Sequence, residues 1–263
     1  MIIARRRKTR TLGSQILVYL LTLLLVFGAA AGVIWYAVHN ELLDVQWLFG
    51  SSSSSRGQPP KVQQQLPSAY SSGDGTFDEM FGGTVFVGDS LTVGMSAYGY
   101  LASYQTFAKT GLTIDQAQTA KIDTDYGKMT IPAAVELVKP ARVYVMLGTN
   151  GVSVVDTDVM LAQYTELLDM LEASSPDSEF CVLSISPVAV NNGYKIKNED
   201  VRAYNEALYT LAAEREYAFI DVHAALADES GILPKEKTSD GIHWEKEVYP
   251  DVLGYIFENT SDK

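Results

Sequence analysis

Three side chains in this sequence have the types and spacing needed to activate a hydroxyl group for attack on an ester. Ser90 follows a glycine and an aspartate, and His243 lies three residues after Asp240 near the C-terminus. A serine hydroxyl is a poor nucleophile until a base removes its proton, and neutral imidazole suits that role. An acid at position 240 could accept a hydrogen bond from the imidazole Nδ1 and stabilise the imidazolium. These residues predict nucleophilic catalysis by Ser90.

His243 is the best candidate base among the three histidines of the chain. His39 abuts a long apolar segment, and His223 follows a predicted strand closely enough to serve in packing or hydrogen bonding. A metal-dependent phosphatase is a weaker alternative, in which Asp89, Asp240 and His243 would ligate a cation. No second histidine or carboxylate cluster completes such a site in the sequence, so we expect neither a metal nor a cofactor.

The residues around these side chains alternate short β-branched runs with helical stretches, which predicts a parallel sheet with helices on both faces. The predicted strands cover residues 84–87, 104–108, 142–147, 180–185 and 218–222. The predicted helices cover residues 131–138, 156–173, 200–216 and 245–258. We therefore expect an α/β domain with three α/β/α layers and a five-stranded parallel sheet.

Polar residues follow the predicted strands where a site would form. Ligands bind beyond the carboxyl ends of the strands in open sheets of this kind. Ser90 comes just after the first strand, Gly111 after the second and Asn150 after the third. Asp240 and His243 precede the last helix. We expect these groups to meet at one edge of the sheet.

The run Gly88-Asp89-Ser90-Leu91 resembles the GDSL motif of the SGNH hydrolases. A GDS tripeptide alone is a weak signal, but its order relative to Gly111, to Gly148-Thr149-Asn150 and to Asp240-Gly-Ile-His243 is similar to that family from about residue 84 to residue 255. The GxSxG motif of the α/β-hydrolases is absent. One position departs from the pattern, because Gly151 stands where many relatives have an aspartate.

The resemblance implies a flavodoxin-like SGNH hydrolase fold and a set of site residues. Ser90, Asp240 and His243 would form the catalytic triad. The oxyanion hole would consist of the backbone amides of Ser90 and Gly111 and the side-chain amide of Asn150. One such donor is commonly worth a factor of about 10² to 10³ in turnover.

Several residues near these motifs have either a structural or a functional interpretation. Asp89 could orient the turn at the nucleophile or cap the following helix, and a structural role is favoured. Asn191 and Asn192 follow the fourth predicted strand, where a turn is a commoner use of such a pair than substrate contact. Packing is favoured over a sugar site for three tyrosines, namely Tyr98, Tyr100 and Tyr104.

The first forty residues predict a membrane anchor. Five basic residues precede an uncharged apolar run, residues 16–38, which as a helix would extend about 34 Å and could cross a bilayer. The positive-inside rule places residues 1–12 in the cytoplasm, residues 13–40 across the membrane as a signal anchor, and the chain after Glu41 outside. A cleavable signal peptide is the alternative, although its apolar region spans only about 7 to 15 residues.

Residues 41–77 are predicted to be a linker and residues 78–263 the hydrolase domain. The linker holds five consecutive serines and few large apolar residues, so it cannot bury a core. Five of the 20 basic residues precede the apolar run, which leaves 15 basic against 32 acidic residues in the remainder. This negative charge disfavours nucleic acid as a partner. The single cysteine, Cys181, excludes an intramolecular disulfide and is expected to pack in the core.

These features predict a serine esterase at the cell membrane, with its catalytic domain outside. The compartment and the tether indicate small acyl esters, chiefly acetyl esters, of cell-wall or extracellular carbohydrate as the substrate. Similar enzymes act on lysophospholipids and thioesters, and some wall-modifying relatives transfer acyl groups, so a lysophospholipase, a thioesterase and an O-acyltransferase stay open. A non-enzymatic wall-binding module is the remaining alternative. The sequence does not predict an oligomeric state.

Overall fold

A computed structural model of the chain describes residues 76–260. The predicted cytoplasmic segment, the signal anchor and nearly all of the predicted linker therefore lie outside the described residues. Within residues 76–260, no helix combines the length and the apolar character needed to cross a membrane.

Seven strands occur in residues 76–260, and five of them form the central sheet. In chain order they are β1 (Thr84–Gly88), β2 (Thr106–Ala108), β3 (Lys121–Thr124), β4 (Gly127–Thr130), β5 (Arg142–Met146), β6 (Glu179–Leu183) and β7 (Ala218–Ile220). The central sheet has the order β2-β1-β5-β6-β7, and all its neighbouring strands are parallel. The predicted α/β fold with a five-stranded parallel sheet is confirmed.

The topology itself points to where a ligand would bind. The chain first adds β2 on one side of β1 and later adds β5, β6 and β7 on the other side. Such a reversal leaves a crevice beyond the carboxyl ends of the strands that flank it. The residues that directly follow β1, β2 and β5 border this crevice.

Helices cover both faces of the sheet. They are α1 (Thr76–Met80), α2 (Ser90–Ala97), α3 (Ile114–Ala117), α4 (Ile131–Val138), α5 (Thr157–Ser174), α6 (Asn198–Glu214), α7 (Val222–Leu226) and α8 (Tyr249–Thr260). Short 3₁₀ turns occur at Ser103–Gln105, Lys235–Lys237 and Lys246–Val248.

Alternate side chains of each central strand enter two separate hydrophobic cores. Val85 and Val87 of β1 pack with α3, α4, α5 and α6, whereas Phe86 packs with α2, α7 and α8. All three side chains are at most 2% exposed, and burial of each such side chain is worth about 1.5–3 kcal/mol. Cys181 lies in the second core at 2% exposure, as predicted. The domain thus has the predicted three layers.

Most element boundaries differ from the sequence prediction by one or two residues, and for the starts of β2 and of the final helix the local reason is clear. β2 begins at Thr106 because the side chain of Gln105 turns inward, where it accepts from the Ala102 N–H and donates to the Phe81 carbonyl. The final helix begins at Tyr249 and not at position 245, because Pro250 has no N–H to donate one turn back.

The antiparallel hairpin of β3 and β4 was not predicted. Its residues are largely exposed or half-buried, so it carries little of the apolar alternation that indicates a strand.

Candidate active site

The first residue of α2 is Ser90, which is separated from the end of β1 only by Asp89. Asp89 caps the helix, because its Oδ1 accepts a hydrogen bond from the Leu91 N–H at 3.1 Å. This sharp change from strand to helix presents Ser90 at the carboxyl edge of the sheet. A helix N-terminus carries a partial positive charge, which favours an anion at this position.

The imidazole of His243 connects Ser90 with Asp240. Its Nε2 lies 2.9 Å from Ser90 Oγ, and its Nδ1 lies 2.6 Å from Asp240 Oδ2. With the proton on Nδ1 donated to Asp240, Nε2 is free to accept the proton of the serine hydroxyl. The structure therefore brings together three predicted residues that span more than half of the chain.

Asp240 is held in its ionised form. Its Oδ1 accepts hydrogen bonds from the backbone N–H groups of Ile242 and His243, at 2.9 and 2.8 Å. Partial burial opposes ionisation, but the hydrogen bonds from the side chain and backbone of His243 and from the backbone of Ile242 hold the pKa of Asp240 below its usual range. The carboxylate can therefore stabilise an imidazolium at neutral pH.

The loop that carries Asp240 and His243 is fixed at both sides. Gly241 has φ +91°, and a Cβ there would lie 2.8 Å from the Cα of Asn192, so only glycine fits. Its carbonyl accepts from the Ala189 N–H at 2.9 Å. The buried Trp244 donates from Nε1 to Ser186 Oγ at 2.9 Å. The position of the imidazole thus follows from contacts with the loop after β6.

Gly111 and Asn150 lie beside the same crevice. Gly111 occupies the third position of a turn closed by the Leu112 N–H and the Lys109 carbonyl at 3.1 Å. Its φ of +73° is the value that a type II turn requires there. A Cβ at this position would have no heavy atom of the protein within 4 Å, so the backbone conformation, and not crowding, is the reason for glycine. Asn150 Nδ2 donates to the Leu112 carbonyl at 3.0 Å.

A cavity of about 250 Å³ contains the predicted site residues Ser90, Gly111, Asn150 and His243. Sequence reasoning missed most of its other walls, which are Thr110, Thr149, Gly151, Ser153, Val154, Tyr194, Ile196 and Ile242. Many of these follow β2, β5 or β6, so the rule that ligands bind beyond strand ends could have selected their loops. Their residue types carry no signal of their own.

Asp89, beside the nucleophile, is 1% exposed. Burial raises its pKa to about 6, against the opposing effects of its hydrogen bond from the Leu91 backbone and of the nearby His243. The predicted capping role of Asp89 agrees with the hydrogen bond to Leu91. Its second oxygen lies 3.5 Å from Asn150 Nδ2, a contact that the sequence did not predict.

The remaining candidates from the sequence have structural contacts. Asn192 fastens the loop after β6, because its Oδ1 accepts from the Ile196 N–H at 2.8 Å. Tyr98 and Tyr100 pack against Tyr249, with ring centroids 5.3 and 6.2 Å apart. Tyr104 is half-buried and, like these two tyrosines, is not part of the wall of the catalytic cavity.

His223 lies after β7, at a different cavity that is bordered by α6. Within residues 76–260, no three histidine, cysteine, aspartate or glutamate side chains are grouped to hold a metal ion.

Residues 86–250 match the model of the GDSL-like Lipase/Acylhydrolase family, and this match covers more than half of the chain. The chain belongs to this family. It is accordingly a serine hydrolase that acts on ester bonds. A comparison with curated proteins gives no significant match.

Solved structures share the fold at low sequence identity. A protein from Streptococcus pneumonia, provisionally assigned as a platelet activating factor, has 20% identity and a TM-score of 0.54 over 67% of this chain and 82% of its own. A GDSL-like lipase from Bacteroides thetaiotaomicron has 17% identity and a TM-score of 0.51 over 67% and 88%. A carbohydrate esterase family 3 protein from Talaromyces cellulolyticus has 18% identity and a TM-score of 0.50 over 67% and 95%.

Proposed function

We propose that this GDSL family member hydrolyses small acyl esters, chiefly acetyl esters, of cell-wall or extracellular carbohydrate through an acyl-enzyme on Ser90. One observation carries the proposal. Nε2 of His243 lies 2.9 Å from Ser90 Oγ, within the reach that a general base needs in order to take the hydroxyl proton.

In the first half-reaction, Ser90 Oγ attacks the ester carbonyl carbon while His243 takes its proton. Asp240 stabilises the imidazolium that forms. The backbone amides of Ser90 and Gly111 and the side-chain amide of Asn150 donate to the oxyanion. Collapse of the tetrahedral intermediate expels the sugar alkoxide, which takes the proton from the imidazolium and leaves as the alcohol.

In the second half-reaction, water attacks the acyl-enzyme. His243 takes a proton from this water, and the same oxyanion donors stabilise the second tetrahedral intermediate. The intermediate collapses to the free acid, and Ser90 Oγ recovers its proton from His243. The net reaction consumes one water and one ester and returns the enzyme unchanged.

The size and lining of the cavity support a short acyl group and a sugar. Its volume of about 250 Å³ is below the range of roughly 300–1,000 Å³ typical of sites for drug-sized ligands. Tyr194 and Val154 border it and are 61% and 83% exposed. An exposed aromatic ring beside a reactive serine offers a flat apolar face on which a sugar ring can stack.

We also propose the cell membrane as the location, with the N-terminus cytoplasmic and the catalytic domain outside. The basic cluster and the uncharged apolar run of residues 16–38 support this topology. The acidic remainder supports a carbohydrate ester over nucleic acid as the partner.

Labelling with a fluorophosphonate tests the nucleophile. The full chain is treated with the probe and digested, and mass spectrometry locates the adduct, which we expect on Ser90. The Ser90→Ala variant should stay unlabelled and inactive. An adduct on another serine, together with parental hydrolysis of p-nitrophenyl acetate by Ser90→Ala, would overturn the assignment.

A substrate panel tests the proposed substrate class. The enzyme is assayed on acetylated peptidoglycan, acetylated xylan, a lysophospholipid and an acyl thioester, with and without acceptor glycan. We expect the highest kcat/KM and free acetate on an acetylated glycan. A preference for the lysophospholipid or the thioester would exclude the proposed substrate, and acetylated acceptor in place of acetate would identify a transferase.

A further inference from the structure

Asp89 uses its two carboxyl oxygens for two different contacts. Oδ1 accepts from the Leu91 N–H at 3.1 Å and caps α2. Oδ2 faces the side-chain amide of Asn150, 3.5 Å from Nδ2. A helix cap needs only one oxygen, which serine or asparagine also supplies. The second oxygen of this buried carboxyl therefore has a contact that capping does not explain.

The side-chain amide of Asn150 lies between two acceptors. One hydrogen of Nδ2 is donated to the Leu112 carbonyl at 3.0 Å, and the second faces Asp89 Oδ2. An asparagine side chain can rotate so that Oδ1 and Nδ2 exchange places. That rotated form would put Oδ1 against a carbonyl and a carboxyl oxygen, where lone pairs repel. The two acceptors together thus select the form in which Nδ2 occupies this corner of the cavity.

We propose that Asp89 is a positioning residue for the oxyanion hole, because its second carboxyl oxygen keeps Nδ2 of Asn150 turned toward the developing oxyanion. The proposal rests on the oxyanion role of Asn150 in the proposed function. The contact of 3.5 Å is long for a hydrogen bond, so the N–H that faces Asp89 can be shared with the oxyanion without breaking a strong bond. Asp89 itself is not part of the wall of the catalytic cavity.

The substitution Asp89→Asn separates positioning from capping. Asparagine caps a helix about as well as aspartate. With its oxygen on Leu91, however, it turns an NH₂ group toward the NH₂ group of Asn150, and two donors repel. We expect kcat for p-nitrophenyl acetate to fall by about tenfold or more, a part of the value of one oxyanion donor. KM should change by less than about twofold, because the ground-state ester does not use this donor.

Two further variants keep the measurement interpretable. Asp89→Ser retains a capping oxygen and has no second one, so it should also lower kcat. It provides the same test if Asp89→Asn fails to fold. Asp156→Asn is the matched control. Asp156 caps α5 by accepting from the Asp158 N–H at 2.9 Å, and its substitution should leave kcat unchanged. Parental kcat in both Asp89 variants would overturn the proposal.

A double-mutant cycle with Asn150→Ala decides whether Asp89 acts through Asn150. Asn150→Ala alone should lower kcat by about 10²- to 10³-fold. In that background, Asp89→Asn should lower kcat by less than about twofold more, because the amide to be oriented is gone. Equal effects of Asp89→Asn in both backgrounds would refute the positioning role alone. Parental kcat in Asn150→Ala would instead remove the oxyanion role on which both proposals depend.

Discussion

Two carboxyl groups lie near the same imidazole, and their environments are opposite. Asp240 is 40% exposed and accepts three hydrogen bonds, one of them from His243 itself. Asp89 is 1% exposed and accepts from the Leu91 N–H and the Thr149 side chain. The pKa of Asp240 is lowered by its donors, and the pKa of Asp89 is raised by burial to about 6. The hydrogen bond of 2.6 Å between Nδ1 and Asp240 Oδ2 makes Asp240 the partner of His243, while burial and the number of donors explain the opposite pKa shifts of the two carboxyl groups.

The largest expected effect concerns the imidazole of His243, which lies near both carboxyl groups. His243→Ala should lower kcat for p-nitrophenyl acetate by at least about 10³-fold, because no other described group lies within hydrogen-bond reach of Ser90 Oγ. The fold should persist, since the side chain is 39% exposed. Turnover and a far-UV circular dichroism spectrum check both statements. A folded variant with near-parental turnover would show that another base serves Ser90.

The sequence predicted the residues of the site better than their electrostatics. Ser90, Asp240 and His243 were found because their types and order along the chain are enough to suggest a proton relay. Tyr194 was missed because only the folded loop after β6 brings it to the cavity. The opposite pKa shifts of Asp89 and Asp240 were also beyond the sequence, because they depend on burial and on backbone donors.

For the fold, the buried strands were easier to predict than the exposed ones. The buried strands β1, β5 and β6 carry strong apolar signals, and their positions were predicted closely. The hairpin of β3 and β4 lies at the surface and pairs through backbone contacts that leave little trace in residue type.

A smaller loss of activity is expected from Asp240→Asn. Without the charge, the imidazolium is less stable and the wrong tautomer is favoured. We expect kcat to fall by roughly 10²- to 10³-fold, less than for His243→Ala, because loss of the acid of a triad commonly lowers kcat less than loss of the base. Steady-state kinetics on p-nitrophenyl acetate measures this fall in kcat. If Asp89→Asn lowered kcat more than Asp240→Asn, the charge on Asp240 would matter less to turnover than the contact of Asp89 with Asn150.

The pH dependence of stability tests the buried carboxyl. The pKa of Asp89 rises from 3.8 to about 6 on folding, so the folded protein holds this proton more tightly than the unfolded chain. The stability from this group is complete below about pH 4 and is lost as pH rises to about 6. The shift corresponds to about 3 kcal/mol. Relative to Asp89→Asn, the parent should therefore lose about 3 kcal/mol of unfolding free energy between pH 4 and pH 7, measured by urea unfolding.

A constant difference in unfolding free energy between the parent and Asp89→Asn from pH 4 to pH 7 would contradict a raised pKa for Asp89. If the unfolding free energy of the parent instead rose relative to that of Asp89→Asn as pH increases, the folded protein would stabilise the carboxylate. The catalytic effect of Asp89→Asn does not enter this comparison, because unfolding does not depend on the oxyanion.

The smallest effect should come from the same measurement on Asp240→Asn, and its sign should be opposite. Because the folded pKa of Asp240 lies below its unfolded value, the group contributes stability at neutral pH that is lost as pH falls through the folded pKa. Solvent screens a carboxylate that is 40% exposed, so the advantage of the parent over Asp240→Asn should be modest at pH 7 and should shrink toward pH 3. Paired urea titrations of the two variants then give slopes of opposite sign. Slopes of the same sign would mean that donors and burial do not shift the pKa values of these two carboxyl groups in opposite directions.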